Sequence, residues 1–186
     1  AKFVGTKQEF TYDTAANYGN LLTVKEYAGE NNSWALYRGS KNECYPNSTA
    51  YIVSLPARQV TLDCTSGSCD FSGETGKLAE SISFYDSNTA YTSPPIKGDV
   101  TKQRAWVQNT DYSQVSLAYD TFGNVTSQTV YTGYSTATQT TNPTGPQTTS
   151  TLYNDGGYNT YPTKVTNALL HETTTTYNFG LGLPVG

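Results

Sequence analysis

The residues of this chain that could do acid–base or nucleophilic chemistry are few. The 186 residues include one histidine, His171, and three cysteines. His171 follows Leu169 and Leu170 and precedes Glu172, in a stretch typical of a turn that enters a strand. Nucleophilic catalysis needs a nucleophile beside a base, and no Ser or Cys motif supplies that pair here. We therefore expect His171 to be structural and the chain not to be an enzyme.

Carboxylates recur along the chain, and paired carboxylates can hydrolyse glycosides. The recurring residues are Asp13, Asp86 and Asp120, each directly after a tyrosine. An active site needs one singular arrangement, whereas these residues repeat, so turn capping is the better interpretation. Calcium binding by Asp/Asn-rich turns is the alternative, but no loop concentrates enough oxygen ligands to favour it. We expect neither a metal nor a cofactor.

The cysteines are confined to one stretch of the chain. Cys64 and Cys69 flank Thr-Ser-Gly-Ser, a tight loop with Gly67 at its turn that a disulfide could close. Two free thiols near a turn are the alternative. A bridge leaves Cys44 as an odd thiol, either buried or paired with another chain. Three cysteines and one distant histidine do not match a zinc pattern. The bridge favours a secreted or cell-surface protein.

Aromatic and asparagine residues raise the question of glycans. Surface tyrosines, Trp34 and Trp106 could stack on sugar rings, although cross-strand packing is the interpretation that we favour. Asn31, Asn47 and Asn124 each begin an N-glycosylation sequon. The density of Thr and Ser could equally carry O-linked glycans.

These residues are positioned by a unit that repeats along the chain. A strand ends in Tyr-Asp or Tyr-Asn, a turn follows, and the next strand opens with Val or Leu and then Thr. In three copies the turn contains a Gly-Asn or Gly-Asp pair. Val115, Leu117 and Tyr119 alternate with polar residues, which predicts a strand with one buried face. The Asp or Asn caps the turn, and the glycine supplies a positive φ. The repeat residues are Tyr12, Asp13, Gly19, Asn20, Tyr85, Asp86, Gly98, Asp99, Tyr119, Asp120, Gly123, Asn124, Tyr153, Asn154, Tyr177 and Asn178.

Four copies and a half copy divide the chain into three parts. Residues 1–30 hold the first repeat, residues 31–78 form a cysteine-containing β insertion, and residues 79–186 hold tandem repeats. The insertion contains two strand-like runs, 50–55 and 58–63. Residues 132–149 are rich in Thr, Ser, Gln and Pro, and we interpret them as a long hairpin connection rather than a solvated linker. A single hairpin cannot bury its apolar face, but stacked copies can.

Composition supports the same fold class and excludes several functions. Charged residues make up 14% of the chain, well below the roughly 25% of an ordinary soluble domain, and Thr and Tyr, which favour strands, replace them. The net charge is −4 without a basic cluster, so we expect no nucleic-acid partner. No apolar run is long enough to span a membrane. The predicted fold is all-β, with tandem antiparallel hairpins in a curved or wound sheet that is part of a shell or filament.

The repeat resembles the YD repeat of the RHS (rearrangement hot spot) family. The resemblance is closest over residues 118–126, and residues 93–102 and 161–177 are also similar to parts of these proteins. It covers residues 9–27 and 79–186. The resemblance implies a long strip of hairpins wound into a hollow shell, which encloses a toxin in bacteria and forms part of an adhesion receptor in the teneurins of animals.

The chain departs from the complete RHS pattern in three ways. It is too short to close a shell, and it lacks both the Asp-Pro-x-Gly-type motif of self-cleavage and a toxin domain. Only the strip architecture therefore carries over from the family.

Three functions follow from this architecture. The first is a segment of an RHS-type shell or surface assembly, whose partner is the remainder of a longer chain or another copy, joined through open sheet edges. The second is a self-assembling extracellular filament, because the pattern starts and stops in mid-repeat. In that filament residues 173–186 of one subunit would be completed by residues 2–12 of the next through strand addition. The third and weakest is a carbohydrate-binding adhesin module.

Overall fold

The fold was obtained as a computed structural model, which describes residues 4–14, 18–31, 33–154 and 158–185. Within these ranges the chain forms strands, isolated bridges and turns, and it contains no helix. The all-β prediction is confirmed. The described residues accordingly include no helix that could cross a membrane.

Thirteen strands follow one another along the described chain, and their residues are rich in the β-branched and aromatic types that suit a pleated surface. They are β1 (Val4–Tyr12), β2 (Leu21–Glu30), β3 (Ser33–Cys44), β4 (Pro56–Asp63), β5 (Lys77–Tyr85), β6 (Val100–Gln108), β7 (Asp111–Tyr119), β8 (Val125–Tyr131), β9 (Pro146–Leu152), β10 (Lys164–Thr166), β11 (Glu172–Thr174), β12 (Tyr177–Asn178) and β13 (Leu183–Pro184).

The strands β1 to β11 form one antiparallel sheet in the order of the chain, and β12 pairs with β13 separately. The predicted tandem hairpins are therefore confirmed. Because each strand pairs with its successor, all odd-numbered strands finish at one end of the sheet. We call this the tyrosine end, since Tyr12, Tyr85 and Tyr119 lie there, and the opposite end the disulfide end. Within the described residues β1 and β11 are the edges of the sheet.

Strand residues alternate between two faces of the sheet. One face, which we call the covered face, carries the buried side chains of Val60, Leu62, Ile82, Phe84 and Tyr112. These side chains form two core clusters. Residues of the loops and neighbouring strands complete them, with Leu36, Cys69 and Phe71 on the first cluster and Tyr91, Trp106 and Ala137 on the second.

The opposite face, which we call the open face, has no second layer of described residues. In β4 to β7 it carries mainly uncharged polar and small side chains, including Gln59, Ser81, Gln103, Ala105 and Ser113, and all five are exposed. The core of the molecule is thus a single sheet packed against its own loops, not one sheet packed against another.

The segment between residues 31 and 78 supplies β3 and β4 to the middle of this sheet. The predicted strand at 58–63 lies within β4. The predicted strand at 50–55 is wrong, because these residues form a turn in which Tyr51 has a φ of 55° and Asn47 bridges to Ile52. A left-handed residue in mid-run breaks the alternation of an extended strand.

A β-bulge interrupts the pairing beside each of three repeat tyrosines. Tyr12 pairs with Leu21, Tyr85 with Val100 and Tyr119 with Val125, and in each hairpin the register shifts by one residue just before the tyrosine. The extra residue is Leu22, Thr101 or Thr126, the second residue of the strand that follows the turn. A bulge bends a strand and increases its twist, so the start of the strand after each of these turns is one of several places where the pairing is distorted.

Candidate functional site

The Tyr-Asp turns after β1, β5 and β7 lie along the tyrosine end of the sheet and share one geometry. In each, the aspartate amide donates to the carbonyl of the residue before the next strand. These bonds are Asp13 N to Asn20 O (2.8 Å), Asp86 N to Asp99 O (2.8 Å) and Asp120 N to Asn124 O (3.0 Å). The preceding glycines, Gly19, Gly98 and Gly123, have φ values of 70°, 93° and 88°, a region that strains other residues. The repeat therefore encodes a turn.

The carboxylate of Asp86 is held by backbone donors of its own loop. It accepts hydrogen bonds from the amides of Ile96 (2.5 Å), Lys97 (3.0 Å), Gly98 (3.1 Å) and Asp99 (3.0 Å). Burial raises the pKa of Asp86, but these donors outweigh burial and hold the pKa below its usual value of 3.8. Asp86 thus organises a long loop around one ionised side chain.

The other two repeat aspartates cap shorter turns in the same way. Asp120 accepts from the amides of Phe122 (2.8 Å) and Asn124 (2.9 Å) and from the Asn124 side-chain amide (2.9 Å). The Asn124 side chain is the main reason that the pKa of Asp120 is lowered. Asp13 accepts from the Gly19 amide at 3.1 Å. Each carboxylate therefore binds the backbone of its own turn instead of pairing with a second carboxylate.

Two repeat tyrosines connect their strand to the preceding one. The hydroxyl of Tyr85 donates to the carbonyl of Pro56 (2.8 Å) and that of Tyr119 to the carbonyl of Val100 (2.9 Å). Each acceptor is the first residue of the strand before. Tyr12 lies on the edge strand β1, and the described residues include no strand before it. Its side chain is accordingly 55% exposed.

Asparagine side chains join neighbouring loops at the tyrosine end. The bonds run from Asn20 Nδ2 to Val53 O (2.8 Å), from Asn47 Nδ2 to Pro95 O (2.9 Å) and from Asn124 Nδ2 to Asn159 O (2.7 Å). Asn47 and Asn124 are two of the three predicted glycan acceptors, and their amide nitrogens thus donate within the fold. The third, Asn31, is exposed after β2 with a φ of 51°. Glycosylation stays a prediction at all three.

The fourth copy and the half copy keep the asparagine but differ in detail. Asn154 Oδ1 accepts from the Thr163 hydroxyl, and Lys164 pairs with Leu152 without a register shift. In the half copy Asn178 caps its turn by accepting from the amide of Leu181 (3.1 Å). Tyr177 stacks on Tyr161 with ring centroids 4.8 Å apart, and Tyr153 is partly buried just after β9.

A backbone hydrogen bond also closes the cysteine loop, at the disulfide end. The Asp63 amide donates to the carbonyl of Gly76 (2.8 Å), and Gly76 has a φ of 77°. The sulfur atoms of Cys64 and Cys69 are 2.08 Å apart, at disulfide distance. Cys64 is fully buried against Val60 and Leu62, so the bridge ties the loop to the first core cluster.

Sequence reasoning did not identify an ion-pair network on the covered face, which we call the Arg58 network. Its members are Lys41, Glu43, Arg58, Glu74, Lys77, Glu80 and Tyr112. Arg58 donates to Glu43 (2.9 Å), to Glu80 (2.6 Å) and to Glu74. Glu80, only 5% exposed, also accepts from Lys77 (2.6 Å). The three cations balance the three carboxylates, as a half-buried network requires.

A second cation, Arg104, anchors the Thr-rich connection between β8 and β9. Arg104 is 1% exposed and lies over the ring of Phe84. Its guanidinium donates to the carbonyls of Thr136 (2.9 Å), Ala137 (2.9 Å) and Gln139 (2.6 Å) and to the side chain of Gln114 (3.0 Å). This connection is therefore bound to the covered face by a buried charge.

The alternation of inward and outward residues along a strand could have identified both Arg58 and Arg104 as inward-facing. Arg58 is in phase with the buried Val60 and Leu62, and Arg104 is in phase with Trp106. A charged residue at an inward position of a strand needs a partner. Three of the partners of Arg104 and one partner of Arg58, however, lie in loops that sequence alone does not place.

The remaining chemically distinctive residues are isolated from one another. His171 is exposed in the turn between β10 and β11, where its amide donates to Asn167 Oδ1 (3.0 Å). Cys44 is a free, partly buried thiol whose pKa is raised by burial. Trp106 donates to the carbonyl of Asn109 (3.0 Å), and Trp34 is 37% exposed. Among the described residues no three metal-ligating side chains come together.

The resemblance to the YD repeat rests on the repeat residues alone, because comparison with known proteins adds no match to support it. No protein-family model matches the chain, and no curated protein matches it.

Proposed function

We propose that the chain is a structural segment of a YD-repeat, RHS-type shell or surface assembly. The observation that carries this proposal is the linear sheet itself, in which β1 to β11 pair in chain order and two edges stay open in the described part of the chain. Because the same turn recurs along the tyrosine end of the sheet, further hairpins of the same kind could extend the strip. The role is architectural, and the recurrent aspartates support it because each caps its own turn.

The edge strand β1 has the features of a pairing surface. It is nine residues long, and Val4, Phe10 and Tyr12 are 75%, 48% and 55% exposed. The backbone groups on the outer side of an edge strand are available to another strand. Tyr12 adds a hydroxyl that would reach a preceding strand, as Tyr85 and Tyr119 do. The partner proposed for this edge is a strand of the same repeat type, from the same chain or from another copy.

A disulfide and a partly exposed polar sheet suit an oxidising compartment. We therefore place the assembly outside the cell or on its surface.

The alternative is a filament in which copies join head to tail by strand addition. The observation that favours it is the apolar surface beyond β11, where Phe179, Leu181, Leu183 and Val185 are between 46% and 71% exposed. A head-to-tail contact between this end and β1 would not close, and a contact that does not close produces a filament.

Electron microscopy and sedimentation velocity of the purified chain test both versions. We expect ordered assemblies, with capsules or curved sheets indicating a shell and unbranched fibres indicating a filament. The double variant Phe10→Lys/Tyr12→Lys places two charges on the β1 edge and should disperse them. The matched control Phe122→Lys/Tyr134→Lys alters equally exposed aromatic residues away from that edge. Stable monomers of the unmodified chain would overturn pairing between copies and with it the filament, and assemblies that survive in the edge variant would overturn pairing through β1.

A further inference from the structure

A groove crosses the open face of the sheet from β1 to β5. Its volume is about 760 Å³, within the range of roughly 300–1,000 Å³ that small-molecule sites occupy. The strand register aligns its floor in two rows across the strands. The first row is Phe10, Val24, Ser40 and Thr61, and the second is Asn42, Gln59 and Ser81. The floor of the groove is therefore made by strands of the sheet, and Gly19, Asn20 and Ser54 of the neighbouring loops line one end of it.

The floor offers hydrogen-bonding groups that the protein itself does not use. Gln59 donates to Asn42 Oδ1 at 2.9 Å, which orients both amides. The described residues supply no partner for Gln59 Oε1, for Asn42 Nδ2 or for the hydroxyls of Ser40, Thr61 and Ser81. These groups lie on β3, β4 and β5, and the exposed ring of Phe10 lies at the β1 end of the floor.

The charges around the groove cancel one another. Its one ion pair joins Arg38 to Glu26, which also accepts from Gln8 at 3.1 Å. The pairing with Arg38 lowers the pKa of Glu26, so both partners stay charged at neutral pH. Arg58 contributes to the groove wall, but its guanidinium is bound by three carboxylates on the covered face.

This chemistry selects a class of ligand. An anion would find its one cation already neutralised, and a cation would find Glu26 already paired. A purely apolar ligand would leave the amides and hydroxyls of the floor without water or any other partner, at a cost for each. A neutral chain of hydroxyl groups would satisfy them and could lay an apolar ring face on Phe10.

We propose that the groove of the open face binds a neutral oligosaccharide, with Asn42 and Gln59 as its central hydrogen-bonding pair. The central pair of the site lies on β3 and β4, away from both sheet edges, so hydrogen bonding to the sugar does not require the proposed edge pairing. A surface assembly that also held an uncharged glycan would display one such groove for each copy.

Titration calorimetry with soluble hexasaccharides tests the proposal. The probes are three neutral hexasaccharides (of glucose with α-1,4 links, of glucose with β-1,4 links and of N-acetylglucosamine), a sulfated hexasaccharide and an uncharged Ser/Thr/Gln peptide. We expect at least one neutral sugar to saturate, with an affinity that changes less than about twofold as salt rises, because no net charge is involved. The variant Asn42→Leu/Gln59→Leu should weaken this binding by at least about tenfold.

The control is Gln128→Leu, which alters an exposed glutamine of the same face on β8, outside the groove. It should bind like the unmodified chain, and thermal unfolding should show that all variants are folded. Three results would each overturn the proposal: no neutral sugar binds, the double variant binds as well as the control, or only the peptide or the sulfated sugar binds. Phe10 belongs to both the groove and the β1 edge, so the sugar-binding test uses Asn42→Leu/Gln59→Leu, which leaves β1 unchanged. Failure of one proposal therefore leaves the other to its own experiment.

Discussion

The repeat aspartate acts by accepting hydrogen bonds from a loop that would otherwise have no fixed shape. Asp86 does this for residues 96–99, whereas its neighbour Asp99 contributes its carbonyl and amide to the same turn but no side-chain hydrogen bond in the described residues. We therefore expect the Asp86 side chain to contribute more to the free energy of unfolding than the Asp99 side chain, although both residues belong to the repeat pattern.

Asp86→Ala should lower the free energy of unfolding by about 2 kcal/mol, because four backbone donors lose their shared acceptor. Asp99→Ala should change it by less than about 0.5 kcal/mol, as is usual for a surface side chain without a specific role. Urea unfolding of both variants measures the difference. Equal losses would show that the carboxylate does not organise the turn.

The Arg58 network gives the protein an acid-sensitive element. Arg58 hydrogen bonds hold the pKa of Glu74 at about 2, below its usual value of 4.5. The folded chain thus binds this proton more weakly than the unfolded chain does. The stability that results is complete above about pH 4.5 and is lost as the pH falls towards 2.

Glu74→Gln should therefore be less stable than the unmodified chain at pH 7 and should lose less stability between pH 4.5 and 2. Glu172→Gln is the control, because Glu172 forms an exposed ion pair with Lys164 and such pairs contribute little. Melting temperatures measured across this pH range decide the matter. If the melting temperature of Glu74→Gln fell with pH as steeply as that of the unmodified chain, Glu74 would not be the source of the acid sensitivity.

The turn residues could be predicted from sequence because Asp, Asn and Gly act locally, on the backbone a few residues away. The Arg58 network could not be predicted in the same way. Its carboxylates come from β3, β5 and the cysteine loop, and only the strand register and the path of that loop bring them to Arg58.

At the scale of the strands and loops, bulges and anchored loops explain how a single sheet obtains a core. The alternation in residues 114–119 correctly indicated β7 but not its buried face, because Gln114 is buried whereas Val115, Leu117 and Tyr119 are only partly buried. The strand predicted at 50–55 was wrong because apolar composition does not reveal a left-handed Tyr51. The Val/Leu-Thr doublet was visible as a pattern, and the structure identifies it as the bulge. The path of the Thr-rich connection over the covered face depends on Arg104, which composition could not show.

Arg104→Met keeps the bulk of the side chain and removes its donors. Three loop carbonyls and Gln114 would then be left without this partner, which should cost about 3 kcal/mol. We expect faster hydrogen exchange and proteolysis in residues 132–145 in particular. The control Lys164→Met removes an exposed cation and should change neither. Unaltered protection of the connection in Arg104→Met would contradict its role as the anchor.

At the scale of the whole molecule, the described residues form a strip with two different faces and two open edges. The order of hairpins follows directly from the repeats, since each copy pairs with the next. The coverage of one face by loops does not follow, because it depends on where the long connections fold back. The open edges make strand pairing the expected mode of association, and the open face adds a separate surface.

Hydrogen exchange of backbone amides, compared between dispersed and assembled protein, tests edge pairing most directly. Pairing with another strand protects amides only on the outer sides of the two edge strands. We expect assembly to slow exchange in β1 and β11 at least about tenfold and to leave β4 to β7 unchanged. Unchanged exchange in β1 and β11, or new protection confined to other strands, would contradict assembly through the sheet edges.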